Sequence, residues 1–75
     1  MTNQDMPVFI YKEKEIHLTN KQCLGLELIL NLSDEYRQFI KLGDKLYNSF
    51  IEREEYHKVT IDEFNWLKDN IRFII

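Results

Sequence analysis

"LTNKQCLGLELILNLSDE", Leu18 to Glu35, is the stretch whose reading decides the fold. From residue 24 to residue 32 every even position is Leu, and the odd positions are Gly25, Glu27, Ile29 and Asn31. Alternation of that kind belongs to a half-buried strand. Against it stand Thr19 and Gln22 at capping-box spacing, more Leu and Glu than branched residues, and Ser33 placed to start the next helix. We read the stretch as a helix, with a third strand over residues 23–32 as the alternative. Its one polar strip would be Glu27 and Asn31, so in either form it belongs at the centre of the domain.

On the N-terminal side, residues 1–7 are polar, end in Pro7 and read as a loose arm. "VFIYKEKEIHLT" follows, with two branched and aromatic runs, Val8 to Tyr11 and Glu15 to Leu18, on either side of a charged turn. This predicts a β-hairpin that needs a helix to lie on. On the C-terminal side, residues 34–55 place Tyr36, Phe39, Ile40, Gly43, Leu46, Tyr47, Phe50 and Ile51 at helical spacing, with Arg37, Lys41, Lys45, Asn48 and Glu52 opposite. Gly43 would let another helix approach closely or would mark a kink. Thr60 and Glu63 form a second capping box before "FNWLKDNIRFII". The expectation is an α+β fold in which a short N-terminal hairpin precedes three helices, with residues 8–75 as a single compact domain.

The 75-residue chain is too short to divide its apolar side chains between two cores. With 44% apolar and 13% aromatic residues and only two Gly and one Pro, it belongs with globular chains. Cys23 is the single cysteine, which excludes a disulfide within the chain. The start "MTNQDMPVF" has no basic and apolar leader, and no stretch approaches the roughly 18 apolar residues of a membrane span. We therefore expect a cytoplasmic protein without a membrane partner. The net charge of −3 makes nucleic acid a poor general partner, because phosphate neutralisation needs clustered Lys and Arg. The chain lacks Ala and is rich in Ile, Lys, Asn, Phe and Tyr, residues of AT-rich codons. A low-GC bacterium, or its phage or another mobile element, is the expected source.

The run "IYKEKEIHLTNKQCLGLELILNLSDE" resembles, over about 25 residues, the segment of bacterial winged-helix and LuxR-type helix-turn-helix regulators where a strand ends in Leu-Thr and a Leu-rich helix follows. The shared features are Leu18, Thr19, Gln22, the Leu series and Leu32-Ser33. The resemblance implies a small DNA-binding regulator that reads with residues 33–51, using Arg37, Lys41 and Lys45 on phosphates. The chain departs from that pattern where the tight turn should lie, and Asp44 interrupts the cations.

His17, His57 and Cys23 are the soft ligands, and no pair has zinc-site spacing, so neither metal nor cofactor is expected. His17 reads as an outward strand residue, and His57 as an exposed residue in the link "EYHKVT". Cys23 lies in an apolar segment where burial would keep the thiol protonated and inert. No Gly-rich phosphate loop is present, and an enzyme is not expected. Glu52, Glu54 and Glu55 place acid at a helix C-terminus, against the macrodipole, which suits a basic partner surface.

In the last helix, Ile61, Phe64, Leu67, Ile71, Ile74 and Ile75 gather on one face. Trp66 and Phe73 fall on the other, among Asp62, Asp69 and Asn70. Unless the hairpin or the arm folds over them, these aromatics form an exposed patch rimmed by acid, of the kind interfaces use. The leading expectation is a non-enzymatic interaction protein that binds and modulates or inhibits a host protein through Trp66, Phe73 and the acids around them. A second copy of the chain is the simplest alternative partner.

Overall fold

The computed structural model describes residues 7–52 and 56–74. Its elements run β1 (Val8–Tyr11), β2 (Lys14–His17), α1 (Asn20–Asn31), a 3-10 turn (Tyr36–Phe39), α2 (Ile40–Glu52), β3 (Tyr56–Lys58) and α3 (Ile61–Ile71). This is an α+β fold with the hairpin and the three helices that the sequence predicts. The sheet has the order β2-β1-β3. β1 pairs antiparallel with β2, Phe9 opposite Ile16, and parallel with β3, Phe9 opposite His57. The sheet thus has a third strand, at residues 56–58, and the leucine-rich stretch is the helix α1.

Capping decides that outcome. The Thr19 hydroxyl accepts from the Gln22 backbone N–H at 3.1 Å, and the Gln22 side chain accepts from the Thr19 N–H at 2.9 Å. Each bond satisfies an end group that a strand would leave to its neighbours. Cys23, Leu26 and Leu30 are fully buried at three- and four-residue steps, while Leu28 and Leu32 face outward. Asn31 donates to Glu27 one turn back on the polar side. At Gly25 a methyl group would stand 2.9 Å from Ile74 Cδ1, so the missing side chain seats the C-terminal segment on α1. At Gly43 it would meet Leu30 Cδ2 at 3.4 Å, which marks the close approach of α2 to α1.

The segment expected as one helix over 34–55 opens instead with the 3-10 turn, and its buried stripe has a different phase. Phe39, Leu42, Leu46 and Ser49 face the core, whereas Tyr36, Ile40, Tyr47 and Ile51 are exposed. The reason is polar. The Ser49 hydroxyl donates to the Lys45 carbonyl at 2.8 Å and sits 2.6 Å from His57 Nε2. With the Ser49 proton used on the carbonyl, the imidazole N–H is the donor in that contact. His57, read from sequence as an exposed link residue, is buried on β3 and stacks on Phe9 with ring centres 5.0 Å apart. Pro7, grouped in sequence with the arm, is fully buried, and its carbonyl accepts from Leu18 N–H at 3.0 Å. The rest of the arm lies outside the described residues. One apolar cluster joins Phe9 and Leu18 to Leu26, Leu42, Leu46, Phe64 and Leu67.

The hairpin turn carries a local cost: Lys12 has φ of 54°, a left-handed conformation that side chains with a Cβ resist. Lys12→Gly should raise stability by up to about 1 kcal/mol, read as a higher denaturant midpoint at an unchanged slope. Ser49→Ala should act in the opposite sense, lowering stability by about 1 to 3 kcal/mol because His57 loses a buried partner.

Candidate functional site

α3 begins where the sequence places it. Thr60 Oγ1 accepts from Glu63 N–H at 3.1 Å, and Glu63 Oε1 accepts from Thr60 N–H at 2.9 Å. Asp62 and Glu63 then lie in the first turn, where negative charge complements the helix dipole. Phe64 and Leu67 are buried toward the sheet and α1 as expected, but Ile61 is 41% exposed. Ile75 lies outside the described residues.

Trp66 corrects the exposed-patch expectation. It retains only 5% of its surface, packed against Phe39 at a ring-centre distance of 6.2 Å, and its indole N–H donates to Glu35 Oε1 at 3.1 Å. The 3-10 turn thus covers the side of α3 that the sequence left open, and Trp66 is core. Phe73 is separate from it. α3 ends at Ile71 with Arg72 as cap, so Phe73 no longer follows the helical spacing that put the two aromatics together. It remains 68% exposed, with the Arg72 guanidinium 5.5 Å from its ring centre.

Between the 3-10 turn with the start of α2 and the outer side of α3 runs a groove of about 1130 Å³. Phe39 and Trp66 line its floor; Arg37 and Lys41 stand on one wall, Asp62 and Asp69 on the other. Ile40, Asn65 and Asn70 also line it, and Asn70 Nδ2 donates to the Trp66 carbonyl at 2.8 Å. Arg37 and Lys41 from the DNA-binding reading and Asp62, Trp66, Asp69 and Asn70 from the protein-binding one are therefore brought to one place. Among the described residues, Arg37, Lys41, Asp62 and Asp69 form no ion pair with one another or with other groups. Glu63 is different: buried, it lies 3.8 Å from Lys45 Nζ.

Arg37, Lys41 and Lys45 do not form one free cationic face. Arg37 belongs to the 3-10 turn, Lys41 faces the groove, and Lys45 is engaged, its ammonium donating to the Lys58 carbonyl at 2.6 Å. Of the acidic run, Glu54 and Glu55 lie outside the described residues, as does the side chain of Glu52. His17 is exposed and hydrogen-bonds Glu15 at 3.0 Å. Burial alone pushes the Cys23 thiol up to about 12. Among the described residues no three of His, Cys, Asp and Glu come together as metal ligands, and no helix is long and apolar enough to cross a membrane.

Sequence reading missed Glu35 and Phe39 as parts of the site. Both act through Trp66, thirty-one and twenty-seven residues away, and no local pattern reports such a pairing. Comparison with protein-family models, with curated proteins and with solved structures finds no match.

Trp66→Ala should lower stability by about 3 to 5 kcal/mol, as expected for a buried Trp, with a matching fall in the unfolding midpoint by circular dichroism. A raised thiol pKa means less thiolate at any working pH. Alkylation of Cys23 at pH 8 should accordingly run at least about a hundredfold slower in the native protein than in denaturant.

Proposed function

We propose that the protein is a non-enzymatic interaction domain, working in the cytoplasm, that contacts another protein through the α3 groove and the neighbouring Phe73. The observation that carries this reading is the groove: an open channel on an aromatic floor whose two cations and two carboxylates find no counter-ion among the described residues. Exposed Phe73 adds an apolar anchor of a kind frequent in interfaces. Two further features support the absence of catalysis. Cys23 is a buried, protonated thiol, and the Ser49 hydroxyl beside His57 has no exposed surface from which to reach a substrate.

In the setting that the composition suggests, a phage or mobile element, the partner is a host protein whose site is occupied and thereby inhibited. Apolar contact at Phe73 would supply affinity, while Arg37 and Lys41 opposite Asp62 and Asp69 would orient a partner surface that carries both signs of charge.

The experiment is affinity capture from a low-GC bacterial lysate, with and without nuclease, comparing the wild type with Phe73→Ala and Asp69→Lys. One protein should be retained by the wild type and at least about tenfold less by each variant, with unchanged unfolding midpoints. Retention of nucleic acid alone, before nuclease, would overturn the reading.

A further inference from the structure

We infer that in the free protein the groove is closed by a second copy of this chain, related to the first by a two-fold axis running along the groove. The inference rests on reading the groove as a protein contact surface and names its occupant.

The arrangement of charge carries it. Lys45 meets Glu63, while Phe39 and Glu35, earlier in the chain, meet Trp66, later in the chain. The two walls therefore run antiparallel, which sets Lys41 toward the Asp62 end and Arg37 toward the Asp69 end. A two-fold axis parallel to the groove turns the cationic wall of one copy onto the acidic wall of the other and preserves position along the groove. Lys41 of each copy then faces Asp62 of its partner, and Arg37 faces Asp69. An axis across the groove would instead lay like charge on like charge. The four charges of one copy that are unpaired among the described residues are thus matched, in sign and order, by those of another.

The other two charged residues of the groove's lining are already engaged. Glu35 accepts from the Trp66 indole, and Glu63 is held by Lys45 and by the Thr60 cap. What remains is two cations against two carboxylates, a balanced set that no uniformly basic or acidic partner would satisfy. Ile40, 47% exposed on the groove's lining, supplies apolar surface beside them. A small stable interface takes roughly 600 to 1,000 Å² from each partner, a modest share of the 5301 Å² that one chain exposes. An isologous contact of this kind also adds buried surface that a 75-residue core lacks.

The test is a charge exchange read by sedimentation. The wild type should be dimeric at tens of micromolar in low salt and should dissociate as salt is raised, since the contact is largely ionic. One double variant, Arg37→Glu with Lys41→Glu, makes both walls acidic; another, Asp62→Lys with Asp69→Lys, makes both basic. Each should be monomeric alone and folded by circular dichroism, and an equimolar mixture should restore a dimer at least tenfold tighter than either variant with itself. A monomeric wild type at about 1 mM, variants that dimerise like the wild type, or a mixture that stays monomeric would each overturn the inference. The functional reading is tested separately. A monomeric wild type whose captured partner is lost in the same double variants would reject the second copy and retain the groove as a contact surface.

Discussion

The arrangement turns on one contact, where His57 of β3 meets Ser49 of α2 and lies flat on Phe9 of β1. β3 has three residues, pairs parallel with β1, and exposes Tyr56 and Lys58 on either side of the histidine. A strand so short and so polar has little hydrophobic reason to join a sheet. A buried hydrogen bond contributes only about 1 kcal/mol net, but leaving either partner unpaired costs about 1 to 3 kcal/mol, so the pair acts as a constraint more than as a source of stability. Its demand is that Ser49 face inward. That demand agrees with the rotation of α2 that turns Leu42 and Leu46 to the core and Ile40, Tyr47 and Ile51 to the outside. Phe39 must then come in at the head of the helix, and the tighter 3-10 turn brings it there with Glu35 against the Trp66 indole.

What the sequence disclosed about the fold was local. The hairpin, the Thr19 and Thr60 capping boxes and the three helices each depend on residues within a few positions of one another. The helix over 20–31 could be chosen against a strand because its end groups had named partners, even though its leucines alternate. Leu28 and Leu32 complete that alternation without serving the core. What the sequence concealed was non-local: the phase of α2 and the strand at 56–58 depend on a serine and a histidine that hydropathy scores as surface residues. A stripe drawn from apolar residues alone took Ile40 and Tyr47 for core and passed over Leu42 and Ser49.

The site was half legible for the same reason. Asp62, Asp69, Asn70, Arg37 and Lys41 could be picked out as outward polar residues, but they fell into two rival readings because the sequence does not say which helix faces which. Helical spacing gives the angle between Trp66 and Phe64 but not whether that side of α3 is covered, and the cover comes from Glu35 and Phe39. Phe73 escaped the helical pattern because the helix had already ended at Ile71.

Burying Trp66 changes what the groove can do. Its ring packs on Phe39, its indole N–H donates to Glu35 and its carbonyl accepts from Asn70, so the floor between the two walls is held by three contacts. Exposed ion pairs stabilise a fold by only about 0 to 1 kcal/mol, and keeping these four charges solvated and separate therefore costs the monomer little. In the proposed association, opposed charges would fix orientation and register and reject wrong partners. Ile40 on the groove's lining and Phe73 outside it would add apolar surface to such a contact. In the proposed contact, the order of the charges along the groove would select the partner.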